Sequence, residues 1–369
     1  MNQNIEFLQL DNIIRQDVLN AQSYAVHSSQ GMIKLDAMEN PFTLPQQLQN
    51  ELAQHLSKVD LNRYPSPESY KKTVDIIRNY ANIHDDLDIL LGNGSDEIIT
   101  ILANLLPENS YILSPLPSFV MYKISAELSK LNFASVDLTA DNFDLYVNAF
   151  KQAITQYQPK LIYISYPNNP TGSCFSTDDI NQIIEHVAQQ SLIIIDEAYQ
   201  AFTGNKTYMH DLPNIMQKHP NVLVMRTLSK VGLAGLRLGY IAGHKEVIAQ
   251  LDKVRPPYNI NVLTQATVQF LLGEQKNIDI LNQQASKICE QRLIMRDKLA
   301  KFGHVFDSDA NFLLVRMNKD AGYVQQQLKE KGILIKNVSG LHKNLHNCLR
   351  FSIGTEEENE RVIKELESL

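Results

Sequence analysis

Short apolar runs alternate with segments of helical periodicity between residues 85 and 255, and this alternation restricts the fold more than any other feature. Five runs are predicted strands: LDILL (87–91), YILS (111–114), LIYIS (161–165), SLIIID (191–196) and NVLVMR (221–226). Strands separated by helices pair in parallel, and the helices cover the faces of the sheet. The sequence therefore predicts an α/β domain with a mainly parallel sheet.

One of the intervening segments has a clear helical pattern. Ser176 and Asp179 resemble a capping box, in which a side-chain oxygen accepts an N–H of the first helical turn. The apolar residues that follow have the i, i+3, i+4, i+7 spacing of one helix face: Ile180, Ile183, Ile184 and Val187. We expect this helix to cover the sheet.

The pattern changes after Arg255-Pro256-Pro257, where a long helical segment (279–302) precedes strands predicted at 311–317, 332–336 and 348–354. This order predicts a smaller α+β domain. The first forty or so residues are irregular, and we expect them to wrap the small domain rather than add a strand. The predicted division is an N-terminal segment (1–45), a large domain (46–254) and a small domain (255–369).

The chain has 369 residues, which is more than one typical domain needs, and its composition is that of a globular protein, with 44% hydrophobic and 20% charged residues. Its formal net charge of −7 predicts no attraction to nucleic acid or to an anionic membrane. No run reaches the length of a membrane helix, and the first residues lack a basic region followed by an apolar run, so we expect neither a membrane span nor a secretory signal. The three cysteines are widely spaced, without a metal-binding pattern, so we expect free thiols in the cytoplasm.

Ligands of parallel α/β sheets bind beyond the carboxyl ends of the strands, so we searched the residues after each run. The first run is followed by Gly92-Asn93-Gly94-Ser95-Asp96-Glu97 and an apolar helix. A glycine-rich turn at a helix N-terminus offers free amides to a phosphate. The same residues could form a tight turn with Asp96 as a cap. A dinucleotide site is disfavoured because Glu97 replaces the third glycine of that motif.

Two further strand ends carry polar side chains. A loop with two prolines and a glycine (166–172) holds Asn168 after one run. Asp196 ends the next run, and Tyr199 follows three residues later. The alternative is that the loop is a plain turn and that Asp196 is only a cap.

The fifth run leads to Lys230, which lies among small and apolar residues. Thr227 and Ser229 precede it, and Arg237 follows seven positions later. Apolar neighbours lower the pKa of a lysine, and the neutral amine is a nucleophile that forms imines. The alternative is an ordinary solvated lysine.

Taken together, these motifs resemble the aspartate aminotransferase-like (fold type I) enzymes, and the resemblance covers nearly the whole chain. The motifs are most similar to those of histidinol-phosphate aminotransferases: LDAMENP (35–41), NRYPSPES (62–69), GNGSDE (92–97), PSFVMY (117–122), YPNNPTG (166–172), IIIDEAY (193–199), TLSKVGLAGLRLGY (227–240) and LRFSIGT (349–355).

The resemblance implies a pyridoxal 5'-phosphate cofactor that is bound as an imine on Lys230. Asp196 would pair with the ring nitrogen and keep it protonated, which makes the ring a better electron sink. Asn168 and Tyr199 would bind the phenolic oxygen, while Phe119 would stack on the ring.

The cofactor phosphate would lie on the amides of Gly94, Ser95 and Asp96. Thr227, Ser229 and Arg237 would add hydrogen bonds and charge. Tyr64 would reach the phosphate of the neighbouring subunit, so the resemblance also implies a homodimer with shared active sites. Without the resemblance, we would interpret Tyr64 as an aromatic residue of a turn.

For the substrate, the resemblance implies contacts from Tyr24, Asn40, Lys336 and Arg350. Three departures from the family are visible. Ala37 and Met38 stand before Glu39 where the family usually has an asparagine, and the spacing from Lys230 to Arg237 is one residue shorter than in much of the superfold. Lys336 stands where these enzymes usually carry arginine, which keeps the charge but not the bidentate geometry.

The implied reaction is amino transfer between L-histidinol phosphate and 2-oxoglutarate. Aromatic amino-acid aminotransferases and threonine-phosphate decarboxylase share the fold and remain alternatives. A non-catalytic module of a DNA-binding regulator is disfavoured because the chain has no winged-helix segment and no basic N-terminal extension.

Overall fold

The computed structural model describes residues 10–21, 28–204 and 206–369. Its strands are β1 (Ile33–Leu35), β2 (Leu87–Gly92), β3 (Tyr111–Leu116), β4 (Asn132–Asp137), β5 (Leu161–Ser165), β6 (Leu192–Asp196), β7 (Val222–Thr227), β8 (Gly239–His244), β9 (Gly303–Val305), β10 (Phe312–Met317), β11 (Ile333–Asn337) and β12 (Cys348–Ser352).

The α-helices within the same ranges are α1 (Gln16–Leu19), α2 (Gln46–Leu56), α3 (Pro67–Ala81), α4 (Ser95–Asn104), α5 (Met121–Leu128), α6 (Val147–Tyr157), α7 (Thr177–Val187), α8 (Leu212–Met216), α9 (Lys245–Val254), α10 (Val262–Leu272), α11 (Gln275–Leu299), α12 (Ala321–Glu330) and α13 (Glu356–Glu367). None of these helices is long and apolar enough to cross a lipid bilayer.

The larger sheet has seven strands in the order β2-β8-β7-β6-β5-β3-β4. All neighbours pair in parallel except β8, which is antiparallel to both β2 and β7. The five predicted strands are confirmed to within two residues at each end, and the α/β fold class is confirmed with them. Strands β4 and β8 were not predicted, because β4 has exposed polar residues and β8 contains two glycines.

The centre of this sheet is buried on both faces. Ile193, Ile194 and Ile195 of β6 are all fully buried, as expected of a strand covered by helices on either side. The helix predicted between the third and fourth runs is α7, and its N-cap Ser176 accepts a hydrogen bond from the backbone N–H of Asp179. Its four predicted apolar positions are buried against the sheet.

The smaller sheet has the order β1-β11-β12-β10-β9. It corrects one expectation: the N-terminal segment does add a strand, since β1 pairs in parallel with β11 in the register Ile33↔Ile333 to Leu35↔Ile335. A run of three residues is too short to stand out in the sequence, and its partner lies 300 positions away. We propose that the two domains meet near residue 255, where α9 ends.

The carboxyl ends of the parallel strands lie along one edge of the large sheet, and the small domain packs against that edge. The N–H of Asp309 donates to the carbonyl of Gly172 at 2.7 Å. Arg350 of β12 donates to the side chain of Asn169 at 2.6 Å. Side chains at the strand ends are therefore enclosed between the two sheets.

Candidate active site

The structure brings most of the predicted site residues to one cavity at this edge. The predicted residues that line it are Ser95, Asp96, Phe119, Asp196, Tyr199, Thr227, Ser229, Lys230 and Arg237. The lining residues that sequence analysis did not assign are Met38, Ser165, Asn169 and Ala198.

Lys230 lies in the short irregular turn Ser229–Leu233 that follows β7, in which Gly232 has a non-helical backbone with φ 103°. Its Nζ donates to the carbonyl of Ala37 at 3.2 Å. Burial, and next the positive charge of Arg350, lower the pKa of the Lys230 amine to about 8. A lysine with this pKa exchanges its proton near neutral pH and is partly present as the nucleophilic amine.

Asp196 ends β6 and is almost completely buried. Its Oδ2 accepts a hydrogen bond from the Tyr122 hydroxyl at 2.6 Å, and its Oδ1 accepts one from the N–H of Ala198 at 3.1 Å. Burial raises the pKa of Asp196 to about 6, and the bond from Tyr122 acts in the opposite direction. A cationic partner in the cavity would therefore stabilise the ionised form of this buried carboxylate.

Hydrogen-bond donors and one arginine gather beside α4. Ser95 and Asp96 are the first residues of that helix, so their N–H groups have no acceptor within it. The Thr227 hydroxyl donates to Ser229 Oγ at 2.9 Å, and Arg237 Nη1 donates to the same oxygen at 3.3 Å. This group forms a cradle for an anion.

Gly94 has a different role from the predicted one. Its N–H donates to the carbonyl of Gly92 at 2.8 Å and is therefore already used within the turn. Gly94 instead has a positive φ of 81°, and a Cβ at this position would lie 2.6 Å from Arg237 Nη2. The glycine makes room for the guanidinium rather than donating to the anion.

The structure does not bring the Asn168 side chain to the cavity. Its amide donates to the carbonyl of Pro117 and to Thr171 Oγ1, both at 2.9 Å, and its oxygen accepts from Ser118 at 2.9 Å. The next residue, Asn169, lines the cavity instead. Adjacent residues of an extended loop point in opposite directions, and the sequence did not reveal which of the two asparagines faces inward.

Tyr199 and Phe119 reach the cavity as predicted. The Tyr199 hydroxyl donates to Met38 Sδ at 3.3 Å, and its ring centre lies 5.8 Å from Lys230 Nζ. Phe119 is half-buried and presents an edge to Tyr122, with the ring centres 5.6 Å apart. These rings give the cavity aromatic walls.

The predicted substrate anchors lie on neighbouring strands. Arg350 is buried, and its two Nη atoms donate to Asn169 Oδ1 at 2.6 Å and to the carbonyl of Asp36 at 2.8 Å. Lys336 of β11 is directly opposite Arg350 in the antiparallel pair, so both side chains share a face of the sheet. Arg350 therefore contacts Asn169 of the cavity wall and Lys336 is its cross-strand neighbour, although neither basic residue lines the cavity itself.

Two other predicted residues, Asn40 and Tyr64, are not on the cavity wall. The Asn40 side chain bonds to Gln284 Oε1 at 3.0 Å and to the N–H of Phe42 at 2.9 Å. Tyr64 is 77% exposed and stacks on Tyr258, with ring centres 4.5 Å apart. Tyr24 lies outside the described residues.

This arrangement fits a phosphorylated aromatic aldehyde. Lys230 offers an amine for the carbonyl, Asp196 a buried carboxylate for a cationic ring, and the cradle around Arg237 a place for the phosphate. A larger cavity of about 660 Å³ lies between the domains, lined by residues of both charges such as Lys206 and Asp307, but it contains no amine of lowered pKa. The described ranges hold no group of three or more His, Cys, Asp or Glu suited to a metal ion.

Comparison with known proteins agrees with this chemistry. The family model for aminotransferases of class I and II matches residues 30–366. Histidinol-phosphate aminotransferase 1 of Burkholderia mallei is 44% identical over 359 residues, which cover 96% of this chain and 98% of that protein. The histidinol-phosphate aminotransferase of Polaromonas naphthalenivorans is 45% identical over 367 residues, covering 97% and 96%.

Solved structures show the same fold. The histidinol-phosphate aminotransferase of Clostridium acetobutylicum superposes with a TM-score of 0.81 at 24% identity, covering 91% of this chain and 98% of that one. The enzyme of Sinorhizobium meliloti, solved in complex with pyridoxal-5'-phosphate, has a TM-score of 0.79 at 20% identity, covering 96% and 98%. The chain belongs to the class I and II aminotransferases and, among them, to the family of histidinol-phosphate aminotransferases.

Proposed function

We propose that this chain binds pyridoxal 5'-phosphate and transfers an amino group between L-histidinol phosphate and 2-oxoglutarate, giving imidazole acetol phosphate and L-glutamate. The observation that carries the proposal is the pair of Lys230 and Asp196 in one enclosed cavity, an amine of lowered pKa with a buried carboxylate. The names and the close similarity of the relatives support the choice of substrate.

Pyridoxal phosphate supplies an aldehyde for the amino group and a ring that accepts the electrons left on the substrate Cα. Lys230 Nζ moves the proton at that carbon, since its pKa of about 8 lets it both accept and return a proton near neutral pH. Asp196 would hold the ring nitrogen in its protonated state. Tyr199 and Asn169, which line the same cavity, would offer a hydroxyl and an amide to the phenolic oxygen.

The phosphate cradle binds and orients without taking part in the proton transfers. Arg237, Ser229 and the first amides of α4 form a fixed set of donors, so the cofactor would remain anchored when the bond to Lys230 is exchanged for one to the substrate. The same fixed set would hold the cofactor ring within reach of Asp196.

We propose that Arg350 and Lys336 bind and recognise the phosphate group of the substrate. Histidinol phosphate has no α-carboxylate, so the basic group that would hold a carboxylate in a related transaminase would bind the phosphate ester instead. Arg350 is fixed by its bonds to Asn169 and Asp36, and Lys336 adds a second charge on the same face. Each charged hydrogen bond contributes about 1.5–3 kcal/mol, which corresponds to about 10- to 150-fold in KM.

The test is a panel of amino donors under identical conditions: histidinol phosphate, histidine, phenylalanine, tyrosine and phosphothreonine. We expect the highest kcat/KM with histidinol phosphate. Lys336→Ala should raise its KM about 10- to 150-fold and leave the KM of phenylalanine unchanged, whereas Lys336→Arg should keep or improve phosphate binding. The phosphate model fails if Lys336→Ala leaves histidinol-phosphate turnover intact and Arg350→Ala abolishes only carboxylate donors. An aromatic amino-acid aminotransferase would then be favoured.

We also propose that the active unit is a homodimer in which Tyr64 reaches the partner's phosphate cradle. Tyr64 and Tyr258 form a stacked pair although both are largely exposed, and Leu61 beside them is 70% exposed. Exposed apolar residues clustered in this way are typical of a protein interface.

A further inference from the structure

Tyr122 occupies the space behind Asp196 in the first turn of α5. It is fully buried, and its hydroxyl donates to Asp196 Oδ2 at 2.6 Å. Its ring stacks face to face on Tyr163, with centres 4.1 Å apart and an angle of 3° between the planes. Phe119 contacts the ring edge-on. The position of the hydroxyl is therefore set by packing on more than one side.

Tyr163 is the natural comparison for Tyr122. It is equally buried, in the middle of β5, and its hydroxyl has no hydrogen-bond partner within the described part of the chain. The two stacked phenols share burial, size and neighbourhood. They differ in that Tyr122 bonds to Asp196.

We propose that Tyr122 is a positioning residue that keeps the Asp196 carboxylate ionised and aimed into the cavity. The inference rests on the proposed function, in which Asp196 faces the ring nitrogen. Tyr122 and the N–H of Ala198 donate to different oxygens of the carboxylate, at 2.6 and 3.1 Å, and together they fix its plane. A hydrogen bond to the charged form of a buried acid favours that form.

The surroundings of Asp196 disfavour its ionised form, so the hydrogen bond from Tyr122 is needed to stabilise that form. The titratable groups within its electrostatic surroundings are Tyr122, Tyr163, Asp96, Glu197 and, across the cavity, Lys230. Burial raises the pKa of Asp196 to about 6, with smaller contributions in the same direction from Asp96 and Glu197, although the hydrogen bonds from Tyr122 and Ala198 lower it. Burial also holds the pKa of Tyr122 well above its ordinary value, so its hydroxyl remains a donor throughout the working pH range.

The experiment compares Tyr122→Phe with Tyr163→Phe as holoenzymes. Two quantities are titrated between pH 5 and 9: the visible absorption of the bound cofactor, which responds to the charge on its ring, and kcat for the donor half-reaction. Loss of a hydrogen bond to a charged group should move the acid midpoint of both in Tyr122→Phe to higher pH by about 1–2 units, with little change in KM. Tyr163→Phe removes a hydroxyl without a partner and should titrate like the wild type.

The inference is overturned if Tyr122→Phe titrates like the wild type, or if Tyr163→Phe shifts the midpoint equally, because packing would then be the cause. If Tyr122→Phe does not fold, 3-fluorotyrosine at position 122 keeps the shape and strengthens the donor, and the midpoint must then move to lower pH. A spectral shift in Tyr122→Phe together with a wild type that does not turn over histidinol phosphate would reject the proposed substrate and leave the role of Tyr122 standing.

Discussion

Replacing Gly94 with alanine tests whether the turn before α4 exists to admit the guanidinium of Arg237. The backbone of Gly94, with φ 81° and ψ 167°, lies in a region that is essentially restricted to glycine, and holding another residue there costs about 1–3 kcal/mol. The new Cβ would lie 2.6 Å from Nη2 and 3.2 Å from Cζ of Arg237, so the arginine must move.

The size of the effect follows from the bonds that Arg237 would lose. A charged hydrogen bond contributes about 1.5–3 kcal/mol, so one lost bond to the cofactor phosphate should raise the Kd of the cofactor about 10- to 150-fold. The measurement is a titration of apoprotein with pyridoxal phosphate, followed by absorbance, with Tm recorded on the same samples. We expect both a weaker cofactor complex and a lower Tm.

Gly31→Ala is the matched control. Gly31 also has a positive φ, 73°, but nothing lies within 4 Å of the position of its Cβ. Alanine there should lower Tm by the backbone cost alone and leave cofactor affinity unchanged. An unchanged Kd in Gly94→Ala, or an equal loss in Gly31→Ala, would refute the reasoning.

The remaining predictions concern a pKa, a buried ion pair and the dimer. The rate at which apoprotein takes up the cofactor should rise with pH and level off above about pH 8, the pKa of Lys230. Arg350→Met removes a positive charge near Lys230 and should move the midpoint of this pH profile upward. An unchanged midpoint would contradict this prediction. Arg226→Met leaves the buried Glu197 carboxylate without its cation, at present 2.9 Å away, and should lower the free energy of unfolding by about 3–5 kcal/mol in urea titrations; a loss under 1 kcal/mol would contradict this. Mixing inactive Tyr64 and Lys230 variants under subunit exchange should restore part of the activity, and a fully active monomer in sedimentation would reject the dimer.

Sequence patterns were sufficient to predict which residues at strand ends meet in one cavity. Asp196 and Lys230 follow long apolar runs, and parallel pairing brings such ends together regardless of the details of the loops. The same reasoning failed for Asn168, because the path of a loop decides which of two adjacent asparagines faces the cavity. It also missed Tyr122, whose partner Asp196 is 74 positions away.

The N-terminal strand shows a second limit of the same kind. Nothing local marks Ile33–Leu35 as a strand, since its stability comes from pairing with β11 and from burial of Leu35 in the small-domain core. Met38, one of the residues at which the sequence departs from the family's motif, also depends on contacts with distant parts of the chain. Its N–H and carbonyl are held by Ser352 and Asn311 at 2.9 Å each, from the far end of the chain, and this support allows its positive φ of 55°.

The pairing of β1 also determines which backbone the small domain presents to other molecules. Strand β11 carries the apolar residues Ile333, Leu334 and Ile335. Without β1, β11 would be an exposed edge strand with unpaired N–H and C=O groups. Strands of other chains can pair with such an apolar edge. β1 covers that edge with a strand of three residues whose central side chain is Lys34, charged and paired with Glu39. We therefore expect β1 to make the small domain less prone to aggregate.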